Sequence, residues 1–254
     1  MVNSPEFRPE LVETLRLSAL AGAHLSETQV SMLMEKMPAN HFMSTYGLSE
    51  IAPVTMPLYG DTAAHITQTV GKPIEGIDVK IQNPDTNENC PAGTAGEILV
   101  QSHGLMCSYY KVPPEEQPLD DEGYLHTGDL GFLDDEGYLH FAGRIKELII
   151  RGGENIIPNE VAAAISEHES IADVKVLGVP DEVLGEAVAA AVILKDGYVF
   201  DETGMREFLS TRLARFKIPA YFFVYEKFPA LANGKIDTVS LTKELAEEVK
   251  GMKS

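Results

Sequence analysis

"DEGYLHTGDLGFLDDEGYLHFAGRIKELIIRGGENIIP", Asp121–Pro158, carries the hexapeptide "DEGYLH" twice. Two copies are too few for a repeat architecture, which needs about three. The hexapeptide therefore predicts neighbouring hairpin strands that use the same turn chemistry. The two continuations differ, because the first copy runs on as "TGDLG" and the second as "FAGRIKELIIRGGENIIP". These continuations indicate where one folding unit ends and another begins.

The composition changes after the second hexapeptide, which indicates a separate unit. "KELIIRGGENIIP" predicts two short strands around a Gly152–Gly153 turn, and Pro158 stands at the favoured first position of a helix. Two apolar strands, a helix and a last strand are predicted farther along, at 174–179, 187–194, 201–216 and 221–228. We place the boundary near Ile145–Lys146, which gives domains at 1–144 and 145–254.

Helical patterns come first in the part before the boundary. "RPELVETLRLSAL", residues 8–20, predicts a short amphipathic helix that leads into a buried strand, and "AGAH" follows as a turn of small residues. A second helix is predicted over 26–37, with Ser26 as its N-cap. Its inward-facing side chains are expected to be Val30, Met32, Leu33 and Met37.

Strand patterns take over from Gly71. Apolar residues alternate along Ile77–Ile81, which predicts a strand. "GEILV" at 96–100, after a turn-rich stretch, predicts a second strand that pairs with the first. This pattern predicts a hairpin whose connecting loop faces solvent. The whole chain is therefore expected to be α+β, with a β-rich subdomain at about 70–144 and a small α+β domain after it.

Charge and composition restrict the classes of function. Acidic residues outnumber basic ones 39 to 20, and the formal net charge of −19 argues against nucleic acid or an anionic membrane as a general partner. The two cysteines, Cys90 and Cys107, suit a reducing compartment better than a disulfide. No apolar run approaches the length of a membrane span. We expect a cytoplasmic protein.

"STYGLSEIAPVT", Ser44–Thr55, combines an aromatic ring, hydroxyl groups and one acid within a few residues. An unpaired acid is costly inside a buried strand, and an exposed loop has no need of Tyr, Ile and Val together. This mixture predicts one wall of a site that stacks a flat group and holds a charged one.

Three charged residues have two interpretations when each is taken alone. Asp129 in "HTGDLG" offers two acceptor oxygens that suit the paired hydroxyls of a ribose, but a turn Asp that caps its own backbone fits equally well. Arg144 could reach the same hydroxyls or a phosphate, or it could be a surface ion-pair partner. Lys235 follows the Asn233–Gly234 turn signal, where a solvated loop lysine is the simpler interpretation.

Four motifs in order give the chain a family resemblance: Tyr-Gly-x-Ser-Glu, Thr-Gly-Asp-Leu, Gly-Arg-x-Lys-Glu-x-Ile-x-x-Gly-Gly and Asn-Gly-Lys-Ile-Asp. Together they resemble the acyl-adenylate-forming (AMP-binding) enzymes, and the Gly-Gly turn is most similar to that of stand-alone acyl-CoA synthetases. The resemblance covers essentially the whole chain. It implies that residues 1–144 are a β-rich C-terminal part of the large adenylation domain and that 145–254 are the small mobile domain.

The resemblance also implies roles for single residues. Adenine would lie between a small-residue turn and an aromatic ring, ribose would bind a carboxylate and its basic neighbour, and α-phosphate would bind a hydroxyl. The implied adenine contacts are Ala21, Gly22, Ala23, Tyr46 and Gly47; the ribose contacts are Asp129 and Arg144; and the phosphate hydroxyl is Ser49, at a position usually occupied by Thr. Glu50 matches the acid that helps to hold Mg²⁺, which prefers oxygen ligands.

The implied chemistry has two steps. A carboxylic acid would attack ATP to form acyl-AMP and pyrophosphate, with Lys235 joining the carboxylate to the α-phosphate. The small domain would then turn about Lys146 and bring the Gly152–Gly153 turn to the tunnel that admits CoA. Glycine suits that position, because a backbone without Cβ allows a close approach. ATP, Mg²⁺ and CoA are the implied cofactors and cosubstrates.

One family motif has no counterpart in the 254 residues. Members carry a Ser/Thr/Gly-rich loop that ends in Pro-Lys-Gly and wraps the β- and γ-phosphates; "GKPIEG" at 71–76 comes after the Tyr-Gly motif and lacks the Ser/Thr run. We therefore expect an incomplete and inactive part of a synthetase whose exposed apolar surface favours a homodimer. The alternative is a non-catalytic folded module that binds a nucleotide or a protein partner. The resemblance also implies that Ile51, Ala52, Pro53 and Val54 touch the substrate pocket, and their apolar character favours an aromatic or aliphatic acid.

Overall fold

The computed structural model describes residues 7–20, 27–37, 41–232 and 235–253. Their Cα positions divide the chain into two compact units, Met1–Phe141 and Ala142–Ser254. The domain boundary at 144/145 stays a prediction. Each unit is described by itself below.

The first unit is built from short strands. It contains a parallel pair, β1 and β2, an antiparallel sheet of β3, β4 and β5, and a sheet in the order β6-β7-β8-β9. Two helices and two 3-10 turns, at Pro9–Val12 and Pro114–Glu116, accompany these strands. The strands are β1 (Leu17–Leu20), β2 (His41–Ser44), β3 (Tyr46–Leu48), β4 (Ile51–Met56), β5 (Lys72–Pro73), β6 (Ile77–Gln82), β7 (Gly96–Ser102), β8 (Leu125–Leu133) and β9 (Leu139–Arg144); the helices are α1 (Glu27–Lys36) and α2 (Ala63–Gln68).

The predicted hairpin at 77–100 is confirmed. β6 and β7 pair antiparallel, and their buried side chains meet as Val79 opposite Val100 and Ile81 opposite Ile98. These side chains form one core with buried residues of β3 and β4. The connecting loop at 83–95 is almost entirely exposed, as predicted.

The start of the chain differs from the prediction. The amphipathic helix is only the 3-10 turn at Pro9–Val12, and β1 is not a buried strand, because Leu17 is 53% exposed. A sheet of two strands is too small to cover side chains on both faces. The second helix is present as α1, where Val30 and Met37 are buried and Met32 and Leu33 are half-buried, while Ser26 lies outside the described residues.

The repeated hexapeptide forms two turns with the same chemistry, as predicted. Oδ1 of Asp120 accepts hydrogen bonds from the N–H groups of residues 122 and 124, and Oδ1 of Asp134 accepts them from those of residues 136 and 138. Each turn has a glycine at positive φ, Gly123 at 85° and Gly137 at 82°, a conformation that glycine adopts without strain. The second turn joins β8 to β9.

Tyr138, which ends the second turn, is buried and donates its hydroxyl to Asp61 Oδ1 at 2.7 Å. This hydrogen bond, with burial, raises the pKa of Tyr138 to about 12. Because the folded pKa lies above that of a free tyrosine, the bond stabilises the fold fully below pH 10, and the stability is lost as pH rises through about 12.

We therefore expect Tyr138→Phe to lower the free energy of unfolding by about 1.5–3 kcal/mol at pH 8, the usual range for a hydrogen bond to a charged group. The difference between wild type and variant should shrink between pH 10 and 12. Urea denaturation of both proteins across this pH range measures it. A difference that is constant with pH would show that the Tyr138–Asp61 bond does not stabilise the fold.

The second unit is a five-stranded sheet with helices on both faces. β13 pairs antiparallel with β12 along one edge, and with β14 (parallel) and the end of β10 along the other. The strands are β10 (Ile149–Arg151), β11 (Glu154–Ile156), β12 (Ile171–Asp181), β13 (Gly185–Leu194) and β14 (Tyr221–Val224); the helices are α3 (Pro158–Ser166), α4 (Glu202–Ser210) and α5 (Thr238–Lys253).

Two apolar cores lie on opposite faces of β13. Val188, Ala190 and Val192 pack on the side of α3 and α4, whereas Ala187, Ala189 and Ala191 pack on the side of α5. A strand that is buried on both faces reads as a continuous apolar run instead of an alternating one. This explains "AVAAAVIL" at 187–194.

The predicted elements of the second unit are present, with differences in extent. α4 ends at Ser210 instead of 216, because the chain turns there and continues as a 3-10 turn at Arg215–Lys217, and β14 ends at Val224. β12 and β13 are longer than predicted. α5 is not among the predicted elements. Its apolar residues Leu241, Leu245 and Val249 recur every four positions and are buried, which is the helical signal in that stretch.

Candidate functional site

The "STYGLSE" motif is a tight β-hairpin. β3 and β4 pair with Leu48 opposite Ile51, so that Ser49 and Glu50 form a two-residue turn at the tip. Gly47 lies against the backbone of β4, and a Cβ there would lie 3.2 Å from Cα of Pro53. A side chain at residue 47 would therefore crowd the partner strand, which explains the glycine without a ligand.

Tyr46 and Asp129 are brought together from motifs 83 residues apart. The Tyr46 hydroxyl donates a hydrogen bond of 2.7 Å to Oδ2 of Asp129, and both side chains are buried, at 8% and 3% exposure. The Tyr46 ring lies 6.0 Å from that of Phe141, tilted by 32°. Stacking of Tyr46 on adenine stays a prediction, because little of the ring surface is exposed.

Asp129 stands in a bulge of β8. Glu97 pairs with Leu130 and Leu99 with His126, so that residues 127–129 face Ile98 alone and the ladder is shifted by two residues. Bulges of this kind redirect side chains and are frequent beside active sites. The Asp129 N–H donates to Thr127 Oγ1 at 3.0 Å, so the threonine side chain caps this turn, while the Asp129 carboxylate accepts from Tyr46. The ribose contact of Asp129 stays a prediction.

A buried carboxylate fixes this bulge from the neighbouring strand. Oε1 of Glu97 accepts the Gly128 N–H at 3.0 Å, and Oε2 lies 2.9 Å from Nδ1 of His126. The Glu97 residue is 8% exposed. Glu97 is not among the predicted site residues, although an acid at the start of the apolar strand "GEILV" is a signal in the sequence, because a buried acid needs partners.

Glu50 is held at the hairpin tip by the loop that follows β7. Its Oε1 accepts a hydrogen bond from the hydroxyl of Tyr109, which raises the pKa of Tyr109, and its backbone oxygen accepts the N–H of Met106 at 2.9 Å. Tyr109 is a second residue that the sequence analysis does not single out. Ser49 is exposed beside Glu50, so its hydroxyl is open to a ligand.

Glu50 fits the role of a magnesium ligand only as one member of a larger set. Among the residues that the structure describes, no three His, Cys, Asp or Glu side chains are grouped to hold a metal ion. Mg²⁺ in nucleotide enzymes is commonly bound by one or two carboxylates and completed by phosphate oxygens and water. One half-buried carboxylate beside a hydroxyl suits that pattern.

The apolar run after the hairpin tip is divided between core and surface. Ile51 and Val54 are buried in the core of the first unit, at 5% and 0% exposure, whereas Ala52 and Pro53 are exposed. The expectation that all four touch a substrate pocket is therefore wrong for Ile51 and Val54, whose side chains fill the space between the sheets.

In the second unit, the Gly152–Gly153 pair forms the tight turn between β10 and β11. Both glycines have positive φ, 61° and 88°, which a two-residue turn of this type requires. The conformation alone accounts for both glycines, and CoA contact stays a prediction. Arg144 is exposed at the end of β9, and Lys146 is exposed in the 3-10 turn Ile145–Glu147 that follows it.

Lys235 lies on the exposed loop between β14 and α5. The loop is closed by a hydrogen bond of 2.8 Å from the Leu231 N–H to the Lys235 oxygen and by a bridge between Ala230 and Ile236. Asp237, two residues on, caps α5: its oxygens accept from the N–H and hydroxyl of Ser240, which lowers the pKa of Asp237. The motif thus places Lys235 directly before the bridged residue Ile236 and three residues before the start of α5.

Some predicted positions lie outside the described residues. These are Ala21, Gly22 and Ala23 of the implied adenine turn and the pair Asn233–Gly234. Within the described ranges, none of the helices combines the length and the apolar character that crossing a membrane requires.

Comparison with known proteins identifies the family. Residues 1–110 match the family "AMP-binding enzyme", and residues 160–235 match "AMP-binding enzyme C-terminal domain". In Bacillus subtilis (strain 168), the putative acyl-CoA synthetase YngI is 32% identical over 248 residues, which are 97% of this chain and 45% of that protein. The long-chain-fatty-acid–CoA ligase of the same organism is 34% identical over 250 residues, which are 98% of this chain and 43% of that protein.

Solved structures agree with the sequence relatives. ATP-bound MatB from Rhodopseudomonas palustris is 28% identical, with a TM-score of 0.86 over 96% of this chain and 48% of that one. The o-succinylbenzoate CoA synthetase of Bacillus subtilis, solved with its acyl-adenylate OSB-AMP, is 30% identical, with a TM-score of 0.75 over 92% of this chain and 46% of that one. The chain spans less than half the length of each of these relatives. On both sequence and fold, this chain belongs to the AMP-binding enzyme superfamily, and the curated relatives that it matches are named as acyl-CoA synthetases and ligases.

Proposed function

We propose that this chain supplies the ribose-binding wall, the metal carboxylate and the mobile small domain of an ATP-dependent, AMP-forming acyl-CoA synthetase. The observation that carries the proposal is the hydrogen bond from Tyr46 to Asp129, because it unites two family motifs that are distant in sequence. A turn-capping aspartate needs no buried tyrosine partner.

The first unit would hold the nucleotide. Oδ2 of Asp129 accepts from Tyr46, and the carboxylate, an acceptor-only group with two oxygens, would also accept from ribose hydroxyls. Ser49 would donate to the α-phosphate from its exposed position at the hairpin tip. Glu50 would hold Mg²⁺ together with phosphate oxygens, and the ion would offset the negative charge that develops as pyrophosphate leaves.

The second unit would act in both half-reactions. Lys235 would neutralise the attacking carboxylate and the α-phosphate during adenylation. The Gly152–Gly153 turn would face the CoA thiol after the unit rotates about Lys146. Arg144 precedes that hinge by two residues and would reach the nucleotide in one of the two positions. The rotation itself is part of the proposal.

The substrate class rests on the relatives. Their names include a long-chain-fatty-acid–CoA ligase and a 4-coumarate–CoA ligase-like protein of Oryza sativa subsp. japonica, the latter 34% identical over 260 residues. We propose an aliphatic or aromatic carboxylic acid, with the exposed pair Ala52–Pro53 as the part of the hairpin open to it. A cytoplasmic location and a homodimer belong to the proposal as well.

A fusion enzyme tests the function. In this fusion, the 254-residue chain replaces the matched portion of the Bacillus subtilis long-chain-fatty-acid–CoA ligase. We expect the fusion to exchange labelled pyrophosphate into ATP only with a fatty acid present and to form acyl-CoA and AMP. The chain alone should show no exchange, because its sequence contains no Pro-Lys-Gly phosphate loop.

The parent ligase is the control for the assay, and thermal unfolding shows whether the fusion is folded. A fusion that unfolds cooperatively but gives no acid-dependent exchange would contradict the proposal. Acid-dependent exchange by the chain alone would contradict the expectation that further elements are needed.

A further inference from the structure

The bulge in β8 leaves backbone groups without ladder partners in β7. Residues 127–129 face Ile98 alone, so the strand cannot satisfy all of the N–H and C=O groups on that edge through regular pairing with β7. A buried backbone N–H without a partner is costly. On the edge that faces β7, groups other than the ladder must therefore hold this segment in place.

Glu97 supplies that partner. Its Oε1 accepts the Gly128 N–H at 3.0 Å, and its Oε2 lies 2.9 Å from Nδ1 of His126, so one carboxylate contacts both the residue before the bulge and the middle residue of the bulge. Thr127 adds a second anchor, because its hydroxyl donates to the Ile98 oxygen at 2.6 Å. Gly128 has a φ of 69°, which a residue with a side chain rarely adopts.

The conformation of the bulge determines the position of Asp129. Its N–H donates to Thr127, and its carboxylate accepts from Tyr46, so its position follows from the bulge on one side and the β3–β4 hairpin on the other. The Glu97 residue is only 8% exposed, and both of its oxygens already have partners. It therefore acts on a ligand through Asp129 and not by direct contact.

We propose that Glu97 is a positioning residue, which sets the conformation of the 127–129 bulge and thereby the affinity of Asp129 for the ribose of the nucleotide. This rests on the proposed function of Asp129 as the ribose ligand. The carboxylate replaces the missing ladder bonds with charge-assisted hydrogen bonds, which are shorter and stronger than neutral ones.

The test compares the wild-type 254-residue chain with the variants Glu97→Ala and Glu97→Gln. Glu122→Ala is the control, because it removes an exposed carboxylate from the neighbouring turn. Two quantities are measured. The first is amide hydrogen exchange of residues 126–130 by NMR without ligand. The second is the affinity for AMP and for 2′,3′-dideoxy-AMP by calorimetry, because the second nucleotide lacks both ribose hydroxyls.

We expect Glu97→Ala to raise the amide exchange rate of Gly128 by about tenfold or more. The affinity for AMP should fall by a similar factor, because a hydrogen bond to a charged group is lost. Dideoxy-AMP should bind wild type and variant within about twofold of each other, since it makes no ribose contact to lose. Glu97→Gln, which keeps one acceptor oxygen but no charge, should lie between wild type and Ala. A general loss of structure would weaken both nucleotides alike, and that result would overturn the proposal.

Unchanged exchange at Gly128 in both variants would overturn the role of Glu97 and leave the function of Asp129 standing. Equal binding of AMP and dideoxy-AMP by the wild-type chain would instead overturn the assignment of Asp129 as the ribose ligand, and with it the proposal. The two failures are therefore distinguishable.

Discussion

Lys235→Ala in the fusion enzyme is expected to lower the rate of acyl-adenylate formation by about 10²–10³-fold, the usual loss when one group that stabilises developing charge is removed. The transfer of the acyl group from pre-formed acyl-AMP to CoA should be largely unaffected. The reason is position: Lys235 stands on the loop before α5, whereas the turn assigned to CoA lies between β10 and β11.

Pyrophosphate exchange measures the first half-reaction, and thioester formation from synthetic acyl-AMP measures the second. Lys227→Ala is a matched control, because Lys227 is an exposed lysine of the same segment outside the motif. An equal loss in both half-reactions would contradict this division of labour. A loss in the Lys227 variant would show that the positive charge of the region matters more than the position of Lys235.

Asp129→Ala is expected to raise the KM for ATP by about 10–150-fold, the equivalent of one hydrogen bond to a charged group at about 1.5–3 kcal/mol. The apparent affinity for the carboxylic acid should change much less, because Asp129 pairs with Tyr46 and not with the exposed Ala52–Pro53 pair. Initial rates at varied ATP and at varied fatty acid separate the two effects.

Asp121→Ala is the control for Asp129, since it removes an exposed aspartate from the hexapeptide turn that precedes the bulge. A KM for ATP within about twofold of wild type would mean that Asp129 only completes a turn. Tyr46→Phe adds a second check, because it removes the hydroxyl from Oδ2 of Asp129 and keeps the ring. Tyr46→Phe should raise the KM for ATP by less than Asp129→Ala does.

The elements with strong local signals could be predicted from the sequence. Alternation over Ile77–Ile81, glycines in the "RGGEN" turn and proline at the start of α3 each specify a conformation within a few residues. The burial of β1 could not be predicted in this way, because exposure of Leu17 depends on how many strands lie beside it. α5 carries leucine and valine at a four-residue spacing, which is a local helical signal of the same kind, although α5 is not among the predicted elements.

The candidate site likewise contains residues that motifs predict and residues that only the fold reveals. Motif order placed Tyr46 and Asp129 in one site, and the structure joins their side chains directly. Glu97 and Tyr109 belong to no motif used in the sequence analysis, because their function is to hold other side chains and their partners are remote in sequence. Glu97 contacts His126 and Gly128 about thirty residues away, and only the pairing of β7 with β8 reveals that contact.

The central claim is that the first unit binds adenosine nucleotides at Tyr46 and Asp129. An NMR titration of the isotope-labelled 254-residue chain with AMP tests it most directly. We predict saturable shifts in the amide signals of the β3–β4 hairpin and of residues 126–130, and their disappearance in the Asp129→Ala chain. If AMP leaves these signals unchanged in wild type, or shifts them equally in the variant, the account is contradicted.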